Sequence, residues 1–509
     1  MESTRTSSST QEDQMPPGAR PETAPARTPG VLSPAHLLTT LGTCALVFLA
    51  AFEAMAVTTV MPLVARDLDG SALYALAFAG PLASGVIGMV LAGAWTDRRS
   101  PALPLFASTA VFALGLLVAG LAGSMPVFLA GRLIQGLGGG AINVVLYVLV
   151  ARAYPAALHP KIFAAFSAAW VVPSMVGPFG AGLVAQYISW HWVFLGVVVL
   201  VVPALLLLLP ALRRLAAQPA HDDAGPAPAD ASPEEAGDGV VGGQAPDGTA
   251  AGGGEEGSRP STKPLSTGRR LAVAAVVGVA VLGLNLSVET GQWAVPVAVL
   301  AAAVALLAVR RLLPAGVLLG RRGLPSVILV KFLIAAAFFG AEVYVPYLLM
   351  DRHHFAPATA GLALTLSAVA WSVGSAIQGR LSTGLSNVGA VWLGAASLAL
   401  SILIVLTATF GGLPPAVIIG GWILAGGGMG LMSPRLSVMV LSYSTPGNQG
   451  FNGSAANVAD SVGAALSLAA TGLVFHLLGA GGAFLGVFAL TACVALLSVA
   501  CAGRVRTER

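Results

Sequence analysis

Glu53 lies deep in an otherwise uncharged run from His36 to Leu63. Crossing a bilayer takes about 20 apolar residues, so the run is long enough. A carboxylate at that depth costs about 2.5–3.5 kcal/mol on insertion scales. Such a group is kept where it faces a protein interior or a wet cavity, and the first chemistry it offers is proton carriage. A second apolar run holds Lys331 and Glu342, 11 residues apart. That spacing is three helical turns, which can place both on one side of a helix. Glu342 would then stand roughly level with Glu53, with Lys331 nearer the inner face. A third run holds Arg132 and Gln135, and a buried arginine needs a carboxylate or several carbonyls around it. Glu53, Arg132 and Glu342 are thus the proton-coupling candidates. The alternatives are a purely structural Glu53–Arg132 pair and an internal ion pair for Glu342. Arg435 and Asp460 lie in two later runs, as a gate pair or as an inner salt bridge without a transport role. No phosphate-binding Gly-Lys loop, His-Glu-x-x-His or nucleophile elbow occurs, so neither ATP-driven nor enzymatic chemistry is expected, and no cofactor or metal.

The elements that must position these groups are membrane helices. The 509 residues are 56% hydrophobic and 9% charged, against about 25% charged in soluble chains. Fourteen spans are predicted, in an all-α polytopic membrane protein; barrel strands would be shorter and alternating. Residues 1–35 form a disordered N-terminus, 36–212 a six-helix bundle, 213–268 a flexible Ala/Gly/Pro-rich linker, 269–311 an inserted helix pair, 325–503 a second six-helix bundle and 504–509 a tail. No signal peptide is expected, because the polar lead and the first apolar run are both too long. With an inner N-terminus, 21 of the 26 basic residues fall on the inner side. The positive-inside rule then places both termini in the cytoplasm. The pI near 9.1 reflects those loops, and no nucleic-acid partner is expected.

The two bundles resemble each other. Ala50-Ala51-Phe52 parallels Ala336-Ala337-Phe338, Pro62 parallels Pro346, and Gly93 parallels Gly379. The run Gly136, Gly138, Gly139, Gly140 parallels Gly426, Gly427, Gly428, Gly430, and Tyr154 parallels Tyr443. Transporters built from repeats bind substrate near the midplane, between the repeats. Asn143, Tyr147, Trp170, Lys331, Tyr344 and Gln378 are the residues assigned to that cavity.

Four motifs carry a family resemblance. Gly93-Ala-Trp-Thr-Asp97-Arg98-Arg99 resembles the loop signature after the second span of the major facilitator superfamily, with Ser100-Pro101 in place of its Gly-Arg. The resemblance implies a charged latch, in which Asp97 would pair with an arginine across the bundle and release it on rocking. Arg132-Leu-Ile-Gln135-Gly136-Leu-Gly138-Gly139 resembles the superfamily's fourth-span motif linked to proton coupling. Gly177-Pro178-Phe-Gly180-Ala-Gly182 resembles the antiporter motif of drug exporters, where Pro and Gly kink a helix at a bundle interface. Ser189-Trp190-His191-Trp192-Val193-Phe194 resembles a signature of the 14-span drug:proton antiporters, with His for Arg.

The resemblance implies a major facilitator fold, two six-helix bundles plus two extra helices. It implies a monomeric, multi-pass cell-membrane antiporter. Such a protein would exchange protons for a hydrophobic or cationic small molecule, the proton gradient being the energy source. An exporter of a lipid, siderophore or other specific metabolite, or a proton-driven importer, would share the fold.

Overall fold

The computed structural model describes residues 30–34, 36–70, 73–217, 266–355, 357–380 and 385–506. Most of residues 1–35, the centre of the 213–268 linker and the end of the tail therefore lie outside the described residues. Fourteen described segments are long and apolar enough to cross a membrane. Helix is the form these runs must take, because it satisfies every backbone polar group within the segment.

The first half comprises α1 (Leu37–Asp67), α2 (Tyr74–Thr96), α3 (Ala102–Gly120), α4 (Met125–Ala153), α5 (His159–Tyr187) and α6 (His191–Ala217). An extra pair follows, α7 (Thr267–Leu286) and α8 (Ala294–Val309). The second half comprises α9 (Leu324–Glu342), α10 (Tyr344–His353), α11 (Pro357–Arg380), α12 (Asn387–Gly411), α13 (Pro415–Ser442) and α14 (Gln449–Ala502). α9 and α10 together make one span, broken at Val343. Pro346 causes the break, since it has no N–H to donate to the carbonyl of Glu342 four residues back. α14 carries two spans that fold back on each other, bringing the Phe475 and Phe484 rings to 5.1 Å.

Glycines set the helix contacts. A side chain at Gly136 or Gly140 of α4 would strike Pro81 or Gly85 of α2, and one at Gly138 would strike Phe112 of α3. The same pattern recurs 290 residues later: Gly426 and Gly430 of α13 meet Ser367 and Trp371 of α11, and Gly428 meets Gly394 of α12. Small residues of this kind let membrane helices approach backbone to backbone.

Pro434 of α13 leaves the carbonyl of Gly430 without its helical donor. Ser375 Oγ of α11 supplies the missing bond at 3.1 Å. The extra pair rests on α2 and α14, with Gly278 of α7 against the backbone of Ala83.

Arg98 and Arg99 after α2, Arg152 at the end of α4, Arg269 and Arg270 at the start of α7, and Arg310, Arg311, Arg321 and Arg322 between α8 and α9 gather at one end of the helices, the basic end. The halves meet there through α2–α14, α4–α14, α5–α11 and α5–α13.

Candidate functional site

Glu53, Arg132 and Gln135 form one closed network, each at most 6% exposed. Arg132 Nη1 bonds Glu53 Oε1 and, at 2.9 Å, Gln135 Oε1. Gln135 Nε2 donates to Glu53 Oε2 at 2.8 Å, and Arg132 Nε reaches the carbonyl of Ala77 at 3.3 Å. Both carboxylate oxygens are therefore used, and the arginine ties α1, α2 and α4 together. The spacing of three between Arg132 and Gln135 puts them on one face of α4. Asn143, three turns further on that face, is exposed. Tyr147, one more turn on, is buried at 6%, with its hydroxyl donating to Ser437 O of α13 and its ring against Gly453 of α14. Asn143 is thus accessible on this face, and Tyr147 joins α4 to α13 and α14 toward the basic end.

The second half contains a different pair from the one expected. Lys331 Nζ lies 2.7 Å from Asp460 Oδ2. Asp460 is therefore not the partner of Arg435, which donates to Asn387 Oδ1 at 2.8 Å. Asp460 also stands eleven residues into α14, about 16 Å along the axis, so it is a mid-span group and not an inner gate. Glu342, at the α9–α10 break, is half-buried and makes no hydrogen bond or ion pair with another described residue. Tyr344 beside it packs on Phe475, which also meets Tyr347.

The latch is built differently from the expected arginine pair. Asp97 accepts hydrogen bonds from the backbone N–H groups of Gly450 (2.6 Å) and Phe451 (2.8 Å), at the start of α14. These are free donors of a helix N-terminus, where a carboxylate is favoured. Burial nevertheless pushes its carboxyl up to about 6, with Arg152 and Arg270 acting in the opposite direction. Gly93 makes the approach possible, because any side chain there would meet Gly450 and Ser454. Arg98 donates to Thr267 Oγ1 of α7 at 2.8 Å.

Arg152, not singled out by sequence, donates to the carbonyls of Thr96 (2.8 Å), Arg99 (3.2 Å) and Pro446 (3.4 Å). It thereby bridges the α2–α3 and α13–α14 loops at the basic end. Its partners are backbone atoms, so no complementary residue marks it in the sequence.

Three assignments need correction or placing. Gln378 is fully buried, and neither end of its amide has a partner among the described residues. It therefore does not line an open cavity. Trp170 is 43% exposed on α5. Gly177 packs against Phe52 and Met55 of α1, on either side of Glu53, while the side chain of Pro178 lies outside the described residues.

The sequence matches the family model described as Major Facilitator Superfamily over residues 43–383. The chain belongs to that superfamily. This major facilitator is 32% identical, over 152 residues, to the probable multidrug-efflux transporter Rv1634 of Mycobacterium tuberculosis H37Rv, covering 30% of this chain and 32% of that protein. It is 30% identical over 147 residues to the acurin A biosynthesis cluster MFS-type transporter of Aspergillus aculeatus, covering 29% and 26%. The chain spans about a third or less of the length of the curated relatives it matches. The human organic anion transporter MFSD10 (TETRAN) shares the fold, with a TM-score of 0.61 at 16% identity over 91% of this chain and 99% of that one. The superfamily to which the chain belongs and these relatives are transporters.

Proposed function

We propose that this major facilitator is a proton-coupled exporter of hydrophobic or cationic small molecules, working by alternating access, with both termini in the cytoplasm. The orientation rests on the arginine-rich loops at the basic end. The observation that carries the coupling is the Glu53–Arg132–Gln135 network. A mid-span carboxylate is held by an arginine on another helix, so adding a proton removes the charge that joins α1 to α4. Glu342 supports the substrate class, since it offers a carboxylate without a partner among the described residues, beside an aromatic cluster. Export is supported by the Gly177–Pro178 segment and by the relative named as a probable multidrug-efflux transporter.

The test uses purified protein in liposomes with an imposed pH gradient and a panel of lipophilic cations and antibiotics, beside Glu53→Gln. Substrate movement opposite to proton flow, absent in the variant, is the expected result. Gradient-driven movement that survives in Glu53→Gln would remove the assignment.

A second reading is export of one specific metabolite. It is supported by the relative from a biosynthesis cluster, and transport of a single compound from the panel or none would favour it.

A further inference from the structure

The loop between α8 and α9, residues 310–323, is a built structure. Gly316, Gly320 and Gly323 hold φ of +88, +56 and +85, a region other residues rarely enter. Ser326 Oγ bonds the carbonyls of Gly320 (3.0 Å) and Arg321 (2.6 Å), and Gly323 N donates to Arg504 O at 3.1 Å. Leu312, Leu313 and Val317 are buried and pin the loop to the helices.

This frame turns two adjacent leucines outward. Leu318 is 56% exposed and Leu319 72%. Exposed Arg310 and Arg311 precede them and exposed Arg321 follows, and the loop contains no acidic residue. Leu312 also lines a shallow surface cleft with Val90, Ala94, Phe451, Ser454 and Arg270. The Arg270 guanidinium stands 4.6 Å from the Phe451 ring centre at that cleft.

Topology alone accounts for arginines at this end of the helices, but not for a glycine-shaped loop that holds two leucines out beside them. A bilayer interface suits both features, with leucines among acyl chains and guanidinium groups at phosphate level. We propose that residues 310–323, together with Arg270, form a binding site for an anionic phospholipid of the inner leaflet. Arg270, Arg310, Arg311 and Arg321 take the phosphate, and Leu318 and Leu319 seat the loop in the membrane. The site adjoins the α2–α14 seam and leads directly into α9.

The test compares phosphatidylglycerol with phosphatidylcholine added to detergent micelles of the full chain. Native mass spectrometry should show phosphatidylglycerol retained over phosphatidylcholine by roughly fivefold or more for each arginine engaged. Arg310→Gln/Arg311→Gln should lose most of that preference. Arg213→Gln/Arg214→Gln, which removes equal charge at the end of α6, should keep it. Hydrogen exchange on the wild-type protein adds a measurement that needs no variant: phosphatidylglycerol should slow exchange across 310–323. Equal retention of the two lipids, equal loss in the α6 variant, or unchanged exchange across the loop would each overturn the site.

Discussion

Lys331 Nζ of α9 lies 2.7 Å from Asp460 Oδ2 of α14, and this single contact reassigns three charges. It occupies Asp460, separates it from Arg435, and engages Lys331, so that Glu342 stands in the same span as a carboxylate without a described partner. Lys331 is 10% exposed at its side chain and Asp460 35%. Removing one member of a fully buried pair costs about 3–5 kcal/mol, because the other charge is stranded. Asp460 keeps some solvent, so Lys331→Met should cost less, about 2 kcal/mol. Lys331→Met/Asp460→Leu should recover most of the loss. Thermal unfolding in detergent reads both, and single variants as stable as wild type would show the pair to be idle.

The glycine pattern permits a sharper packing test. A side chain at Gly430 would collide with the backbone of Trp371, whereas one at Gly427 meets nothing within 4 Å. Overpacking against backbone costs about 1–3 kcal/mol. Gly430→Ala should therefore lower the unfolding midpoint, while Gly427→Ala, which also gains helix propensity, should leave it unchanged or raised. Equal effects at the two positions would mean that α11 and α13 are not in contact here.

The sequence made some of this legible and concealed the rest. Apolar runs dictate helices wherever water is excluded, so the fourteen spans could be read directly. The spaced glycines marked α4 and α13 as equivalent because backbone approach tolerates few other residues. Glu53 and Arg132 stood out because charges in apolar runs are expensive. Pairing was not legible. Arg435 and Asp460 sit in neighbouring spans, yet Asp460 pairs with Lys331, 129 residues earlier. Asp97 finds backbone N–H groups and Arg152 finds carbonyls, and such partners have no sequence signature. Gln378 is polar and looked like a cavity residue, but helix packing buries it completely.

The Asp97 latch should respond to pH with a definite sign. Its carboxyl is raised from 3.8 to about 6 in the latched structure. Compared with an unlatched, solvated Asp97, the latched state binds the proton more tightly. Its stabilisation from this group is fully present below the ordinary carboxylate range and is lost as pH rises through about 6. Acidifying the basic end from about pH 7.5 to about pH 5 should therefore populate the latched state further. Electron-resonance distances between labels at Arg99 and Gly447 would report it, and Asp97→Asn should abolish the dependence. A shift toward the unlatched state on acidification would contradict the reading.

Glu53 and Glu342 are expected to divide the work, because their surroundings differ. Glu53 already has a counter-charge in Arg132, whereas Glu342 has no described partner and lies beside Tyr344 at the helix break. A cation near a half-buried carboxylate gains an attraction worth about 1–2 kcal/mol after solvent screening, or roughly tenfold in affinity. Glu342→Gln should then weaken transport of lipophilic cations about tenfold in KM, while neutral compounds keep theirs. Its dependence on the pH gradient should remain. Glu53→Gln should instead remove the gradient dependence for cationic and neutral compounds alike. Proteoliposome uptake with one cationic and one neutral substrate separates the two variants. If Glu342→Gln affects both compounds equally, the residue belongs to the coupling machinery, and the cation must be recognised elsewhere in the cavity.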